Sequence, residues 1–102
     1  MIIELGEYRT QGTLVFAGRA RGKQVRARVG LDEADQRGEL VEIRIPEDIF
    51  SITSSFFLGM FGPSIQKLGK EQFVKQYTFV GKNIDQIIDD AVHEALRTGS
   101  PL

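Results

Sequence analysis

Three consecutive hydroxyl side chains, Thr53, Ser54 and Ser55, precede an apolar segment with helical spacing. A Ser or Thr at a helix N-cap accepts a hydrogen bond from a free backbone amide, which stabilises the helix by about 1 kcal/mol. The same free amides and the helix dipole also attract phosphate, so a serine at this position can act as a switch. We expect one of Ser54 and Ser55 to cap the helix and the other to be open to phosphorylation.

A basic segment, residues 19–28, offers a second possible anion site. Residues 18–23 are similar to a phosphate-binding loop, in which backbone amides surround an anion. The match is incomplete, because a Walker loop has one more residue between its glycines and a Ser or Thr where this chain has Gln24. Two interpretations stay open: a solvated basic face, or a surface for an anion or a partner that includes Arg19 and Arg21.

Side chains suited to catalysis or metal binding are scarce. The chain has no cysteine and a single histidine, His93. This composition excludes thiolate zinc sites, iron–sulfur clusters and a cysteine nucleophile, and one histidine alone does not make an ordinary zinc site. Asp89 and Asp90 nearby are typical of a charged helix surface. We therefore expect a protein that is not an enzyme and that uses no metal and no cofactor.

The composition is that of one globular domain, which we expect to span residues 1–102. The chain has 102 residues, of which 41% are apolar, and its net charge of -1 gives no general attraction to nucleic acid. The charge is uneven, because residues 1–30 carry six basic and two acidic side chains and residues 31–50 carry two and seven. The apolar runs are too short for a signal peptide or a membrane span, and with the missing cysteines they predict a cytoplasmic protein.

Hydrophobic patterning predicts the elements that position these residues. Strands are expected near residues 2–5, 13–17, 40–45 and 76–80. Periodicity leaves residues 18–29 open between strand and helix. A helix is predicted over residues 54–68, ending at Gly69, with a kink near residues 59–62 caused by Pro63.

A final helix over residues 83–97 should begin at Asn83 as its N-cap and dock on the sheet through one apolar stripe. That stripe consists of Ile84, Ile87, Ile88, Ala91, Val92, Ala95 and Leu96.

The order of these motifs resembles that of the bacterial STAS-like family, small relatives of the sulfate-transporter and anti-sigma-factor-antagonist domain. The family opens its first helix with a segment similar to residues 18–26, and a strand then leads to a Ser-Ser-Phe turn similar to residues 54–56. The resemblance covers most of the chain and favours a helix over residues 19–29. It implies a single α/β domain with a mixed, mostly parallel sheet, an antiparallel edge strand and about three helices.

In phosphorylatable members of that family, a serine at the start of the second helix receives phosphate from a histidine-kinase-like serine kinase. Ser54 and Ser55 stand at the corresponding places, with Thr53 where such members have aspartate and Phe56 where they have glycine. The resemblance thus implies a non-enzymatic regulatory module that binds a protein partner, an ATPase of the histidine-kinase-like class.

The helices of a parallel α/β sheet start at one common edge, where we expect the partner or anion site. Its candidate residues are Arg19, Arg21, Thr53, Ser54, Ser55 and Asn83. Two other functions stay open: a small-ligand or nucleotide-binding domain that uses the same edge, and an inhibitor or accessory subunit whose basic face binds an acidic protein or nucleic acid.

Overall fold

The computed structural model describes residues 1–9, 15–49, 51–81 and 85–98. Its strands are β1 (Ile2–Glu4), β2 (Val15–Phe16), β3 (Val41–Arg44), β4 (Ser51–Ile52) and β5 (Tyr77–Val80). Its α-helices are α1 (Arg19–Val29), α2 (Leu31–Arg37), α3 (Ser54–Gln76) and α4 (Asp85–Thr98), and a short 3₁₀ turn covers Leu5–Tyr8. The chain is therefore a small α/β protein, as the sequence predicted.

Every strand pairing in the described residues is parallel. One sheet has the order β1-β3-β5, and a separate pair joins β2 to β4. The predicted antiparallel edge strand is therefore wrong for this part of the chain. The reason lies in the connections: β1 pairs with the distant β3 rather than forming a hairpin with β2, and helices connect the parallel strands.

The sheet buries one face and leaves the other in solvent. Ile3, Val41, Ile43 and Tyr77 point into the core, whereas their neighbours along the strands are at least partly exposed. This alternation follows from the two-residue period of a strand. The core between sheet and helices is completed mainly by aromatic side chains of α3, namely Phe56, Phe57, Phe61 and Phe73.

The first half of the chain contains one helix more than predicted. Residues 19–29 form α1, which decides the ambiguity of that segment in favour of helix. Gly30 then adopts a left-handed conformation (φ 75°) that ends α1 and immediately starts α2. Helix α2, which was not predicted from the sequence, buries Leu31 and Ala34 against the rest of the core.

Helix α3 breaks at the glycine where the helix was predicted to end, and a further helical segment follows that break. The non-helical dihedrals lie at Gly69 (φ 79°, ψ 164°), where the predicted helix ends; Pro63 lies within the helix, and the kink near residues 59–62 stays a prediction. A glycine reaches a positive φ without the steric cost that other residues meet, so the direction of the chain changes at residue 69.

Helix α4 packs against α3 through part of the predicted stripe. Val92 and Ala95 are buried and Ile88 is partly buried, but Leu96 is 40% exposed and was wrongly assigned to the buried stripe. Ile84, Asn83 and the side chains of Ile87 and Ala91 lie outside the described residues. None of the helices in the described ranges is long and apolar enough to span a bilayer.

Candidate functional site

The hydroxyl turn, which we define as residues 53–55, begins α3. Thr53 is the N-cap: its Oγ1 accepts a hydrogen bond from the Phe56 amide at 3.2 Å, and its carbonyl accepts from the Phe57 amide at 3.1 Å. The expectation that Ser54 or Ser55 caps the helix is therefore wrong. The N-cap needs an extended backbone, which Thr53 has (φ -72°, ψ 152°), whereas the serines already belong to the first helical turn.

The two serines differ in their surroundings. The Ser55 Oγ lies 3.1 Å from the Thr53 Oγ1, so this hydroxyl shares a hydrogen bond with the capping residue and is only partly exposed. Ser54 is exposed at the first helical position. The first amides of an α-helix have no partner inside the helix, so the Ser54 side chain stands beside backbone donors.

A close helix crossing holds the start of α1 against the start of α3. A Cβ atom on Gly22 would overlap the Phe56 carbonyl oxygen and lie 2.8 Å from the Met60 amide nitrogen. A Cβ atom on Gly59 would overlap the carbonyl oxygen of Arg19. Only glycine permits this contact of backbone on backbone, which fixes the Arg19 backbone beside the second turn of α3.

A second link brings the strand before α1 to the same end of the molecule. The Thr53 amide donates a hydrogen bond to the Phe16 carbonyl at 2.8 Å, continuing the β2–β4 ladder. Arg19 follows Phe16 by three residues and its side chain is exposed. The structure therefore brings the backbone of Arg19 and the hydroxyl turn to one end of the α1–α3 pair.

The remaining predicted site residues are Arg21 and Asn83. Arg21 donates to the backbone carbonyl of Tyr8 and, at 3.1 Å, to the Oε1 of Gln24. Its guanidinium thus fastens the 3₁₀ turn to α1 instead of standing free. Asn83 lies outside the described residues.

The resemblance of residues 18–23 to a phosphate loop does not extend to their conformation. α1 begins at Arg19, so Gly22 and Lys23 belong to a helix and do not form an open loop. Gly22 is also buried against α3. The glycine serves helix packing, which removes the backbone cradle that a bound phosphate would need.

A group of polar side chains inside the protein, which we call the buried polar cluster, was not predicted from the sequence. They come from α1, α2, α3 and β5, and Asp32 alone among them is largely exposed. The members are Arg26, Asp32, Asp35, Ser64, Gln76 and Tyr77.

Asp35 is the acceptor at the centre of this cluster, and its side chain has no exposed surface. Within the described residues its carboxylate accepts from the Tyr77 hydroxyl at 2.6 Å, the Arg26 Nη2 at 3.3 Å and the Gln76 Nε2 at 3.3 Å, and also from the Ser64 hydroxyl. A buried carboxylate is tolerated only when donors of this kind replace water.

Arg26 supplies the positive charge of the cluster. Its Nη1 donates at 2.8 Å to both the Met60 carbonyl and the Ser64 Oγ, and its Nη2 donates at 2.7 Å to the exposed Asp32. No buried side-chain nitrogen or oxygen in the described chain lacks a partner. With its buried groups satisfied, the cluster joins α1 and α2 to α3 and β5.

One sequence signal could have revealed this cluster. Gly22, Val25, Arg26 and Val29 have the spacing of a single helical stripe, and the other three are small or apolar. An arginine on the buried stripe of a helix requires a buried acceptor, because an unpaired charge there is too costly. The sequence does not say which of the nearby carboxylates is that acceptor.

Titration of Tyr77 reflects the same surroundings. Burial raises the pKa of the Tyr77 hydroxyl well above its usual range, and the hydrogen bond that it donates to Asp35 raises the pKa further. Both effects favour the neutral hydroxyl, which is the form that can donate to the carboxylate.

His93 lies on the exposed side of α4, where its Nδ1 is 3.7 Å from an Asp89 carboxylate oxygen and its Nε2 is 3.4 Å from the Lys70 Nζ. The described residues hold no group of three potential metal ligands.

Comparisons with known proteins add no relative: no family model, no curated protein and no solved structure matches this chain.

Proposed function

We propose that this protein is a non-enzymatic regulatory module of STAS-like type that binds a protein partner and is switched by phosphorylation of Ser54. The observation that carries the proposal is that one residue of the hydroxyl turn caps the helix while another is exposed to solvent. Thr53 supplies the cap and shares a hydrogen bond with Ser55, while Ser54 is exposed at the first position of α3. Ser54 is therefore free for modification without loss of the cap.

The surroundings of Ser54 favour a phosphate. A phosphoserine carries about -1.5 to -2 charges at pH 7 and accepts several hydrogen bonds. At the start of α3 it would meet free amides and the positive end of the helix dipole. Arg19 begins the neighbouring helix with an exposed, permanently charged guanidinium.

The partner in this proposal is a histidine-kinase-like ATPase, the class that the STAS-like resemblance implies, and the proposed location is the cytoplasm. Unphosphorylated, the hydroxyl turn and Arg19 would form part of the surface that the partner contacts. Phosphate would then reverse the charge of this surface, and such a change alters affinity by direct attraction or repulsion.

The experiment is a phosphorylation assay with purified protein, ATP and a histidine-kinase-like ATPase chosen from neighbouring genes, read by mass spectrometry of the peptide that contains the hydroxyl turn. We expect phosphate on Ser54 in the wild type and in Ser55→Ala, and none in Ser54→Ala. Ser54→Asp should change partner affinity by about tenfold, which corresponds to about 1.4 kcal/mol.

Thr53→Ala is the matched control, because it removes the cap and keeps both serines. It should lower the free energy of unfolding by about 1 kcal/mol, while Ser54→Ala should leave that free energy nearly unchanged. The proposal fails when no phosphate is found and Ser54→Asp binds the ATPase with wild-type affinity.

A further inference from the structure

Helix α1 presents a basic face to solvent. Lys23 and Arg28 are exposed at its two edges, and neither has an ion-pair partner in the described ranges. The helix contains no acidic residue, and Arg26, on its inner side, is neutralised within the buried polar cluster. Ala20 and Ala27 lie between the charges and are also exposed, so the face is shallow and open to close approach by another helix.

Helix α4 presents an acidic face. Asp85, Asp89 and Asp90 are exposed and Glu94 is partly exposed, while Arg97 is the basic residue of this helix. Two large apolar side chains are exposed in the same region: Leu96 on α4, 40% exposed, and Val74 on α3, 52% exposed. Val74 lines a groove together with Asp85, Asp89 and the basic Lys70. The acidic face therefore adjoins apolar surface that a docked helix would cover.

The two faces do not neutralise each other within one molecule. α1 contacts the first turns of α3, through Gly22 against Phe56 and Arg26 against Met60. α4 contacts a later part of α3, where Gln66 donates to the Ala95 carbonyl and Lys70 lies near His93. Among the described ion pairs, none joins α1 to α4.

We propose that a second copy of this chain occupies these faces, with the basic face of α1 on one molecule against the acidic face of α4 on the next. The opposite charges of the two helices make the faces complementary, and Ala20 and Ala27 would lie over the apolar surface of Val74 and Leu96. Because two different surfaces meet, the contact is head-to-tail, which produces closed rings or open chains of molecules instead of a two-fold dimer.

Charge balance favours a second copy over a nucleic acid. The net charge is -1, and acidic side chains dominate both α4 and residues 31–50. A long polyanion on α1 would be repelled by these regions, whereas a second copy offers an acidic helix of similar length whose charge is opposite in sign to that of α1.

The test is sedimentation velocity of the full chain at increasing protein concentration and two ionic strengths. In about 20 mM salt the weight-average sedimentation coefficient should rise with concentration, and in about 300 mM salt the rise should disappear, because the screening length falls below about 6 Å. Two double variants reverse one face each: Lys23→Glu with Arg28→Glu, and Asp89→Lys with Asp90→Lys. Each variant alone should weaken association at least tenfold.

An equimolar mixture of the two double variants is decisive. In the mixture every reversed face meets a complementary one, so association should return to near the wild-type level. Lys67→Glu with Lys75→Glu is the matched control; it makes the same change in charge on exposed positions of α3 and should leave association within about twofold of wild type.

Three outcomes would overturn the proposal: a wild type that stays monomeric in low salt, association that survives in both double variants, or a mixture that does not recover. A monomeric wild type that binds an acidic protein or a DNA duplex through Lys23 and Arg28 would assign the basic face to that partner instead. The variants leave Arg19 and Ser54 intact, so the result is independent of the phosphorylation proposed above.

Discussion

At the scale of single residues, the buried polar cluster is the place where charged side chains are removed from water. The Arg26 and Asp35 side chains are 8% and 0% exposed, so each has given up most of its hydration. Removing one member of such a pair costs more than the pair contributes, because the remaining charge is left buried without a partner. The Tyr77 and Ser64 hydroxyls complete the set of donors around Asp35. The cluster thus makes the relative placement of α1, α2 and β5 specific.

Because of Tyr77, the contribution of this cluster to the stability of the folded state depends on pH. Burial and the bond to Asp35 raise the pKa of Tyr77 in the folded state, while the unfolded chain keeps a value near 10. Above pH 10 the unfolded state therefore releases a proton that the folded state retains, and the stability contributed below pH 10 is lost as the pH rises toward the folded pKa. The expected slope from this group is about -1.4 kcal/mol per pH unit.

Urea denaturation between pH 9 and pH 11.5, for the wild type and Tyr77→Phe, measures this effect. The variant should be less stable at pH 8 by about 1–3 kcal/mol, because Asp35 loses a donor. Its stability should then fall less steeply than that of the wild type above pH 10. Parallel curves for the two proteins across this range would contradict the raised pKa.

At the scale of secondary structure, most elements were predictable from apolar patterning, but α2 and β4 were not. The apolar alternation of β3 and the stripe of α4 identified both elements. Helix α2 was not predicted because its seven residues show too little periodicity and because its start depends on the left-handed conformation of Gly30. The end of the first part of α3 at Gly69 was predicted from the sequence, but the helical segment that continues to Gln76 was not.

The candidate site, too, could be predicted from the sequence only in part. The sequence identified the hydroxyl turn, but the choice of Thr53 as N-cap depends on where the backbone changes from extended to helical. The shared position of Arg19 and the turn was expected from the parallel topology. The contact that produces it, Gly22 and Gly59 at the α1–α3 crossing, joins residues far apart in the chain and left no local signal.

The close contact between α1 and α3 at Gly22 can be tested by substitution. Gly22→Ala places a methyl group against the backbone of Phe56 and Met60, which cannot move aside as a flexible side chain would. Overpacking usually costs about 1–3 kcal/mol, and this contact is with backbone, so we expect a loss at the upper end of that range or beyond. Urea denaturation measures the loss of stability.

Gln24→Ala, on the exposed side of α1, is the control and should change stability by less than about 0.5 kcal/mol. A Gly22→Ala protein as stable as the wild type would mean that α1 and α3 lie farther apart.

At the scale of the whole molecule, the distribution of charge matters more than its total. The basic and acidic residues nearly cancel in number, yet α1 carries an unpaired basic face and α4 an acidic one. In the part of the chain that the structure describes, every buried side-chain nitrogen and oxygen has a partner, so the unpaired charges lie on the surface. Separating opposite charges in this way favours oriented association, since molecules attract in one relative arrangement and repel in others.

Head-to-tail association would also couple folding to protein concentration, because an assembly that forms only from folded chains stabilises the folded state by mass action. We therefore expect the Tm to rise with protein concentration between about 10 µM and about 1 mM in low salt; in a domain of this size each kcal/mol shifts the Tm by about 4–8 °C. In about 300 mM salt the concentration dependence should vanish, since exposed charges are then screened. Differential scanning calorimetry of the wild type and of the Lys23→Glu, Arg28→Glu variant measures both effects. The variant should show no concentration dependence in either buffer, and a wild-type Tm that stays constant in low salt would contradict assembly through these faces.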